Sequence, residues 1–210
     1  MDMMVRDLLQ VASGLPAGHV ISIPSGGGAT PVRLPGPIGS AFVTNPAVDA
    51  ALPAVLPRPG AGPIVNGRAT DVITILMADN TFTDIPLTAV TSTSVTVALK
   101  TADGEDIDLT GPDRVIPGQL MMIEKGSIST LVQVTAVNTG TRRLTFGAGD
   151  SLNLNQTVGA GTLAALNAAP PANAPANTRI TRVRMISYYL DVTIPDRPRL
   201  MRRINNGDPA

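Results

Sequence analysis

The sequence contains no cysteine and no tryptophan, and its one histidine is His19. Without cysteine, the chain can form neither disulfide bonds nor thiolate metal sites. It also has no G-x-S-x-G elbow, so the arrangements usual for nucleophilic catalysis are missing. We therefore predict no catalytic residue and no cofactor, and a structural or interaction protein rather than an enzyme.

Charged and aromatic residues are both scarce, at 15% and 2% of the chain, and the net charge is zero. A neutral chain has no overall attraction to nucleic acid or to anionic lipid. Seven of the fourteen arginines do cluster between Arg179 and Arg203, but arginines on an edge strand also discourage aggregation between sheets. With almost no aromatic side chains available for base stacking, we predict that nucleic acid is not a partner.

Long hydrophobic runs are missing too, since no stretch approaches the roughly 18 apolar residues that span a bilayer. The first residues carry charges at Asp2, Arg6 and Asp7, which is not the pattern of a signal peptide. The chain as given is therefore predicted to be soluble. Its 210 residues are enough for one well-buried domain covering residues 1–210.

The one convincing helix is predicted over residues 1–13. Its apolar residues follow the i, i+3, i+4, i+7 pattern, and Gly14 and Pro16 end it. A helix of this length is marginal alone in water. It must therefore dock on the rest of the domain or be the end of a longer helix.

The remainder of the chain is predicted to be strand-rich with long proline- and glycine-rich loops. Residues 35–63 contain seven prolines, which should interrupt regular elements and give an excursion loop over the surface. Residues 168–177 form an Ala/Pro/Asn-rich linker. Apolar patterns typical of strands occupy, among others, residues 70–77, 119–123, 129–138 and 143–146.

The closing segment, residues 178–204, is predicted to be a hairpin that closes a sheet. Tyr188 and Tyr189 lie in a run of β-branched and aromatic residues, Pro195 stops the first strand, and residues 199–204 return as its partner. Arg182 and Arg184 share the parity of the later apolar face. Either a bulge near Ile186 shifts the phase, or the strand is covered on both sides.

An acidic group around residue 105 is the best candidate for ion binding. Ca²⁺ takes several carboxylate and carbonyl oxygens from one flexible loop, although the order of residues here is not that of an EF-hand. A solvated hairpin turn is the favoured interpretation, and Ca²⁺ is the weaker alternative. The residues concerned are Asp103, Glu105, Asp106 and Asp108.

Several segments, in this order along the chain, resemble the PilW-type minor pilins of type IV pili and the related minor pseudopilins of type II secretion. Residues 4–11 resemble the end of that family's long first helix, where an R-D-L-x-Q-A run is frequent. Gln119 stands where the family often has aspartate. The other segments that carry the resemblance are residues 70–75, 117–123, 132–137, 182–190 and 198–203.

The family's processing motif and hydrophobic half-helix are missing from the sequence. The resemblance therefore implies a truncated headgroup whose residue 1 falls inside the original helix. It implies an α+β, pilin-like fold in which one N-terminal helix packs on an antiparallel sheet. It also implies assembly rather than catalysis, as a subunit that primes or caps a type IV pilus or a type II secretion pseudopilus.

The partners implied by the resemblance are other minor pilins or pseudopilins and the assembly machinery. A membrane is contacted only through the missing helix, which would anchor the subunit in the inner membrane of the bacterial cell envelope. The headgroup would then lie in the periplasm before it reaches the pilus tip or cell surface. Contacts are expected at the helix flank and at the edge of the closing hairpin. The interface candidates are Met1, Met4, Val5, Leu8, Arg197, Arg199, Arg202 and Arg203.

The alternative is a β-rich virion or cell-surface binding module without catalytic activity. The composition, rich in Gly, Pro, Thr and Asn and poor in aromatics, suits such a protein. The reading frame upstream of codon 1 separates the two hypotheses. About 20 apolar residues encoded there favour the pilin, and a natural start at Met1 favours the surface module.

Overall fold

The computed structural model describes residues 2–15, 20–36, 42–170, 177–194 and 197–205. These residues form two short helices and fourteen strands. In chain order the elements are α1 Asp2–Leu9, β1 Ile21–Ser22, β2 Ala51–Leu52, β3 Val55–Arg58, β4 Ile64–Val65, β5 Arg68–Ala69, β6 Val72–Ala78, β7 Ile85–Val90, β8 Ser94–Val97, β9 Leu120–Lys125, β10 Ile128–Gln133, β11 Ala136–Asn138, β12 Arg143–Thr145, α2 Leu163–Ala168, β13 Thr178–Asp191 and β14 Arg199–Ile204.

The long strand β13 joins two regions of one sheet. Its first half pairs antiparallel with β9, from Thr178 to Val183, and more briefly with β7. Its second half pairs with β6 and with β14, the latter from Ile186 to Asp191. Because the partners change along its length, the same fourteen residues hold both regions together.

The first region closes on itself. Its strand order is β10-β9-β13-β7-β8-β12-β11, and β10 continues into β11 after only two residues. The path therefore ends on the stretch of chain where it began, which leaves few exposed strand edges. All seven strands contribute side chains to one apolar cluster, which includes Leu87, Val95, Met121, Ile123, Val132, Val137, Leu144 and Ile180.

A second apolar cluster lies on the other face of β13, where Val183, Met185 and Tyr189 are buried. It is covered by residues from the proline-rich part of the chain, including Phe42 and Leu52. The prediction that prolines exclude regular elements from residues 35–63 is therefore wrong, because this stretch contains β2 and β3. Pro57 is tolerated within β3 because an edge strand can lack one N–H donor.

A third cluster lies further along β13, on the same face as Ile180, where Ile75, Met77, Ile186 and Tyr188 are buried. Strand β13 is thus covered on both sides, which was one of the two alternatives for its mixed pattern. The described pairings of β13 show no register shift near Ile186. Met4 of α1 packs against the third cluster.

The expected α+β, pilin-like fold with a packed N-terminal helix is wrong. Strands make up 39% of the described residues and helices 7%. Helix α1 has eight residues and ends at Leu9 rather than at residue 13. It ends early because the chain turns to pair with β6: Ala12 has φ 59°, its N–H donates to the Leu76 carbonyl, and the Ala78 N–H donates to the Ser13 carbonyl.

No helix among the described residues is long and apolar enough to cross a membrane. Parts of several sequence-based predictions lie outside those residues. They are Met1, Pro16 at the predicted helix end, His19, residues 37–41 of the 35–63 segment, residues 171–176 of the linker, and residues 195–196 of the closing hairpin.

Candidate interaction site

A buried ion pair fastens α1 to the closing hairpin. Asp7 is only 6% exposed. Its Oδ2 accepts a hydrogen bond of 2.6 Å from the Tyr188 hydroxyl and one of 2.6 Å from Nε of Arg202. One carboxylate therefore joins α1, β13 and β14, although Asp7 and Arg202 lie at opposite ends of the sequence.

The three groups shift one another's protonation in a consistent way. Burial alone would raise the pKa of Asp7, but hydrogen bonds from Arg202 and Tyr188 and the charge of Arg202 hold it below its usual value of 3.8. Burial and the hydrogen bond to Asp7 raise the pKa of Tyr188 to about 12. At neutral pH, Asp7 is therefore ionised and Tyr188 is a neutral donor.

An apolar groove of about 470 Å³ lies beside this ion pair. It runs across the sheet where β3, β6, β13 and β14 lie side by side, and Arg58 and Asp71 are its charged members. Such a groove accepts an apolar group rather than a charged ligand. Its apolar lining consists of Met4, Pro57, Pro59, Val72, Ile73, Tyr188, Tyr189, Leu190 and Leu200.

The outer surface of α1 adds apolar side chains next to the groove. Met4 lines the groove, and its chain neighbours Met3 and Val5 are 57% and 51% exposed. Leu8 and Leu9 are exposed as well. Exposed apolar residues that cluster in this way mark contact surfaces more often than scattered ones do.

The interface candidates from the sequence fall into three groups in the structure. Val5 and Leu8 are exposed, and Met4 is partly buried at the groove. Arg197 and Arg199 are exposed at the hairpin. Arg202, whose side chain is only 17% exposed, is turned inward to Asp7, and Arg203 donates a hydrogen bond to the Gly36 carbonyl. Met1 lies outside the described residues.

The acidic candidates for Ca²⁺ do not converge. Asp106 lies 3.5 Å from Nζ of Lys100. Asp108 instead accepts hydrogen bonds from the side chain and backbone of Thr110, which lower the pKa of its carboxyl. Within the described part of the chain, no three acidic, histidine or cysteine side chains come close enough to hold a metal ion.

Neither the groove nor its ion pair could be predicted from local sequence patterns. Asp7 lies on the charged side of a short amphipathic helix, where a solvated role is the usual expectation. Its partner Arg202 is 195 residues away along the chain, and no local spacing rule connects them. Pro57 and Leu200 line the groove only because the sheet brings β3 and β14 to the same face.

Comparison with family models, with curated proteins and with solved structures finds no match to this chain.

Proposed function

We propose that the chain is a non-catalytic assembly subunit, the headgroup of a minor pilin or minor pseudopilin. The observation that carries the proposal is the placement of the segments that resemble that family. Residues 70–75, 117–123, 182–190 and 198–203 fall largely on β6, β9, β13 and β14, whereas residues 132–137 cover the end of β10 and the start of β11. Strands β6, β9 and β14 each pair with β13, and β10 and β11 belong to the same sheet.

This placement supports the proposal because segments that are far apart in sequence lie on one sheet. The proline-rich residues that the resemblance leaves out cover the sheet from outside, as Phe42 and Leu52 do. Additions at the periphery are where related domains differ most.

The surface that would serve assembly is formed by α1 and the groove beside it. Met3, Val5 and Leu9 expose apolar surface that a neighbouring subunit would cover, and burying it stabilises the contact by about 25 cal/mol per Å². Arg197 and Arg199 lie exposed on the adjacent hairpin. Charges at the rim of an interface mainly set orientation and association rate.

A complementation experiment tests this proposal. The gene is deleted in the organism that encodes it, and filaments are counted by electron microscopy after return of the wild-type gene or of Val5→Glu. Val5 is 51% exposed, so the variant should fold, but the new charge would be buried in any contact made by α1. We expect filament loss in the deletion strain, rescue by wild type, and little rescue by Val5→Glu.

The matched control is Leu99→Glu, just after β8, where the native side chain is also exposed, at 70%, and lines no part of the groove. This variant should restore filaments as well as the wild type does. Normal filaments and normal secretion in the deletion strain would refute the proposal. Equal rescue by both glutamate variants would remove α1 from the contact surface.

The second candidate is a β-rich surface module, and the strand content favours it. Strands make up 39% of the described residues against 7% for helices, and the core is built mainly from aliphatic side chains. Under this hypothesis the deletion strain keeps its filaments, and the chain copurifies with particles or with the cell surface. An upstream reading frame without an apolar helix would also favour it.

A further inference from the structure

A polar cavity of about 290 Å³ opens beside the end of β6, away from the groove. Arg182 and Arg184 of β13 reach it from the sheet, and Arg114 reaches it from the loop before β9. Thr81 and Gln119 add polar groups, and Asp79 and Asp113 add carboxylates. Three guanidinium groups thus share one small opening.

Arg182 forms the base of the cavity and is only 5% exposed. Its Nη1 donates to the carbonyl oxygens of Asp113 and Arg114, at 3.0 and 3.3 Å, and its Nη2 donates to the Thr81 hydroxyl. Its Nε lies 3.1 Å from Oδ2 of Asp79 but makes no hydrogen bond with the described residues. Charge attraction alone therefore holds that contact.

Arg184 and Arg114 keep N–H donors available for a ligand. Arg184 uses Nε and Nη2 on Oδ2 of Asp79, at 3.2 and 2.7 Å, while its side chain is 49% exposed. The Arg114 guanidinium is exposed and makes no hydrogen bond or ion pair with the described residues. A guanidinium presents its N–H groups as a planar fork that matches a carboxylate.

The charges around the cavity select a ligand with one negative charge. Three arginines and two aspartates line it, so one positive charge remains unbalanced when all five are ionised. Asp79 stays ionised at neutral pH. Burial would raise its pKa, but hydrogen bonds from Thr81 and Arg184 and the charge of Arg182 hold it below 3.8. A doubly charged phosphate would meet more repulsion from Asp79 and Asp113 than a carboxylate would.

We propose that this cavity binds the carboxylate of an aspartate or glutamate side chain presented by a partner protein. Arg114 and the N–H groups of Arg184 that Asp79 does not engage bind the carboxylate, while Arg182 holds the backbone of residues 113 and 114 in place. A volume of about 290 Å³ admits a side chain as well as its carboxylate, since one water occupies about 30 Å³. This binding site is independent of the filament hypothesis and needs no assembly machinery.

The test uses the full chain, labelled with ¹⁵N, and acetyl-Gly-Glu-Gly-amide as the probe. We expect the Glu peptide to shift the backbone amide signals of Thr81, Arg114 and Gln119 in a saturable way. The same peptide with Gln in place of Glu should leave them unchanged at equal ionic strength. Absence of saturable shifts, or equal binding of the Gln peptide, would overturn the proposal.

Two variants and inorganic phosphate test whether the cavity depends on Arg114 and prefers a carboxylate. Arg114→Gln removes one fork without touching a fold contact and should weaken the Glu peptide about tenfold, as expected for a charge-assisted hydrogen bond. Arg68→Gln, on the exposed β5, should leave binding unchanged. Inorganic phosphate that binds more tightly than the Glu peptide, or an unaffected Arg114→Gln, would contradict a site built for a carboxylate.

Discussion

At the scale of single residues, the buried charges of this protein lie where separate elements meet. Asp7 joins α1 to β13 and β14, and Asp79 joins the end of β6 to two arginines of β13. Each carboxylate is satisfied by several donors, so its burial cost is offset. Removing one member of such a buried ion pair leaves the opposite charge buried without compensation, which strongly destabilises a protein.

We expect Asp7→Asn to destabilise the protein by about 3 kcal/mol. The variant removes the counter-charge of Arg202, whose side chain is only 17% exposed. It also weakens the acceptor of the Tyr188 hydroxyl. Urea unfolding followed by circular dichroism measures the change in the free energy of unfolding.

The control for that measurement is Glu105→Gln, which also removes one carboxylate charge. Glu105 is exposed, and its side chain makes no contact that the change would break. Its effect should stay within about 0.5 kcal/mol. Equal effects of the two variants would mean that the Asp7 ion pair contributes nothing beyond the loss of a surface charge.

Acid should weaken the fold through the same two carboxylates. The pKa values of Asp7 and Asp79 are lower in the folded protein than the usual 3.8. Their stabilisation is therefore complete above about pH 4 and is lost as the pH falls through the folded values. Urea midpoints measured from about pH 5 to pH 2 should fall steeply, and less steeply for Asp7→Asn. A parallel decline in both proteins would contradict the assignment to Asp7.

At the scale of elements, a close backbone contact positions the residues before α2 against the segment around Ile23. Ser25 and Ala160 form a two-way backbone bridge, and Gly161 follows with φ 68°. A Cβ on Gly161 would lie 2.2 Å from the carbonyl oxygen of Ile23. The residues before α2 can therefore approach the strand-like segment at Ile23 only because residue 161 has no side chain.

We expect Gly161→Ala to lower the free energy of unfolding by about 3 kcal/mol, from backbone strain and a clash with Ile23. Thermal unfolding followed by circular dichroism measures the loss. Gly27→Ala is the matched control, because its Cβ would meet nothing within 4 Å. That variant should be unchanged or more stable by up to about 1 kcal/mol. Similar losses in both variants would show that the contact with Ile23 does not matter.

At the scale of the whole molecule, β13 connects all three apolar clusters. Ile180 belongs to the first cluster, Val183 and Met185 to the second, and Ile186 and Tyr188 to the third. Because the three clusters share one strand, displacing β13 from one cluster would disturb the packing of the next cluster along the strand. The described domain should therefore unfold as one cooperative unit.

Calorimetry tests this cooperativity with two core variants. Leu144→Ala alters the first cluster and Met185→Ala the second, and each native side chain is fully buried. Each change should cost about 2–5 kcal/mol and shift one single transition to lower temperature. Two transitions, with only one of them moved by each variant, would show that the regions unfold separately.

Much of the sheet could be predicted from local pattern alone. Alternating or continuous apolar residues placed strands near 70–77, 119–123 and 143–146, and the structure has β6, β9 and β12 there. The pattern of residues 178–204 likewise placed the hairpin that β13 and β14 form. Such signals are local, because a strand must alternate or be apolar throughout to be buried.

The fold class and the site depend on tertiary contacts that local sequence patterns do not reveal. Amphipathic spacing predicted a helix over residues 1–13, but pairing of Ala12 and Ser13 with β6 ended it early. Prolines predicted a loop over residues 35–63, but an edge position tolerated Pro57 within β3. In both cases a tertiary partner outweighed a weak local preference.

The residue composition and local patterns are enough to specify an aliphatic core, the absence of thiol chemistry and a sheet built around the last long strand. Folding brings Asp7 to Arg202, and Met4 and Leu200 to one groove. It also brings Arg114 to the cavity that Arg182 and Arg184 line. Strand pattern can be read from residues that are close in sequence. These sites, in contrast, depend on contacts between distant residues that only strand pairing brings together.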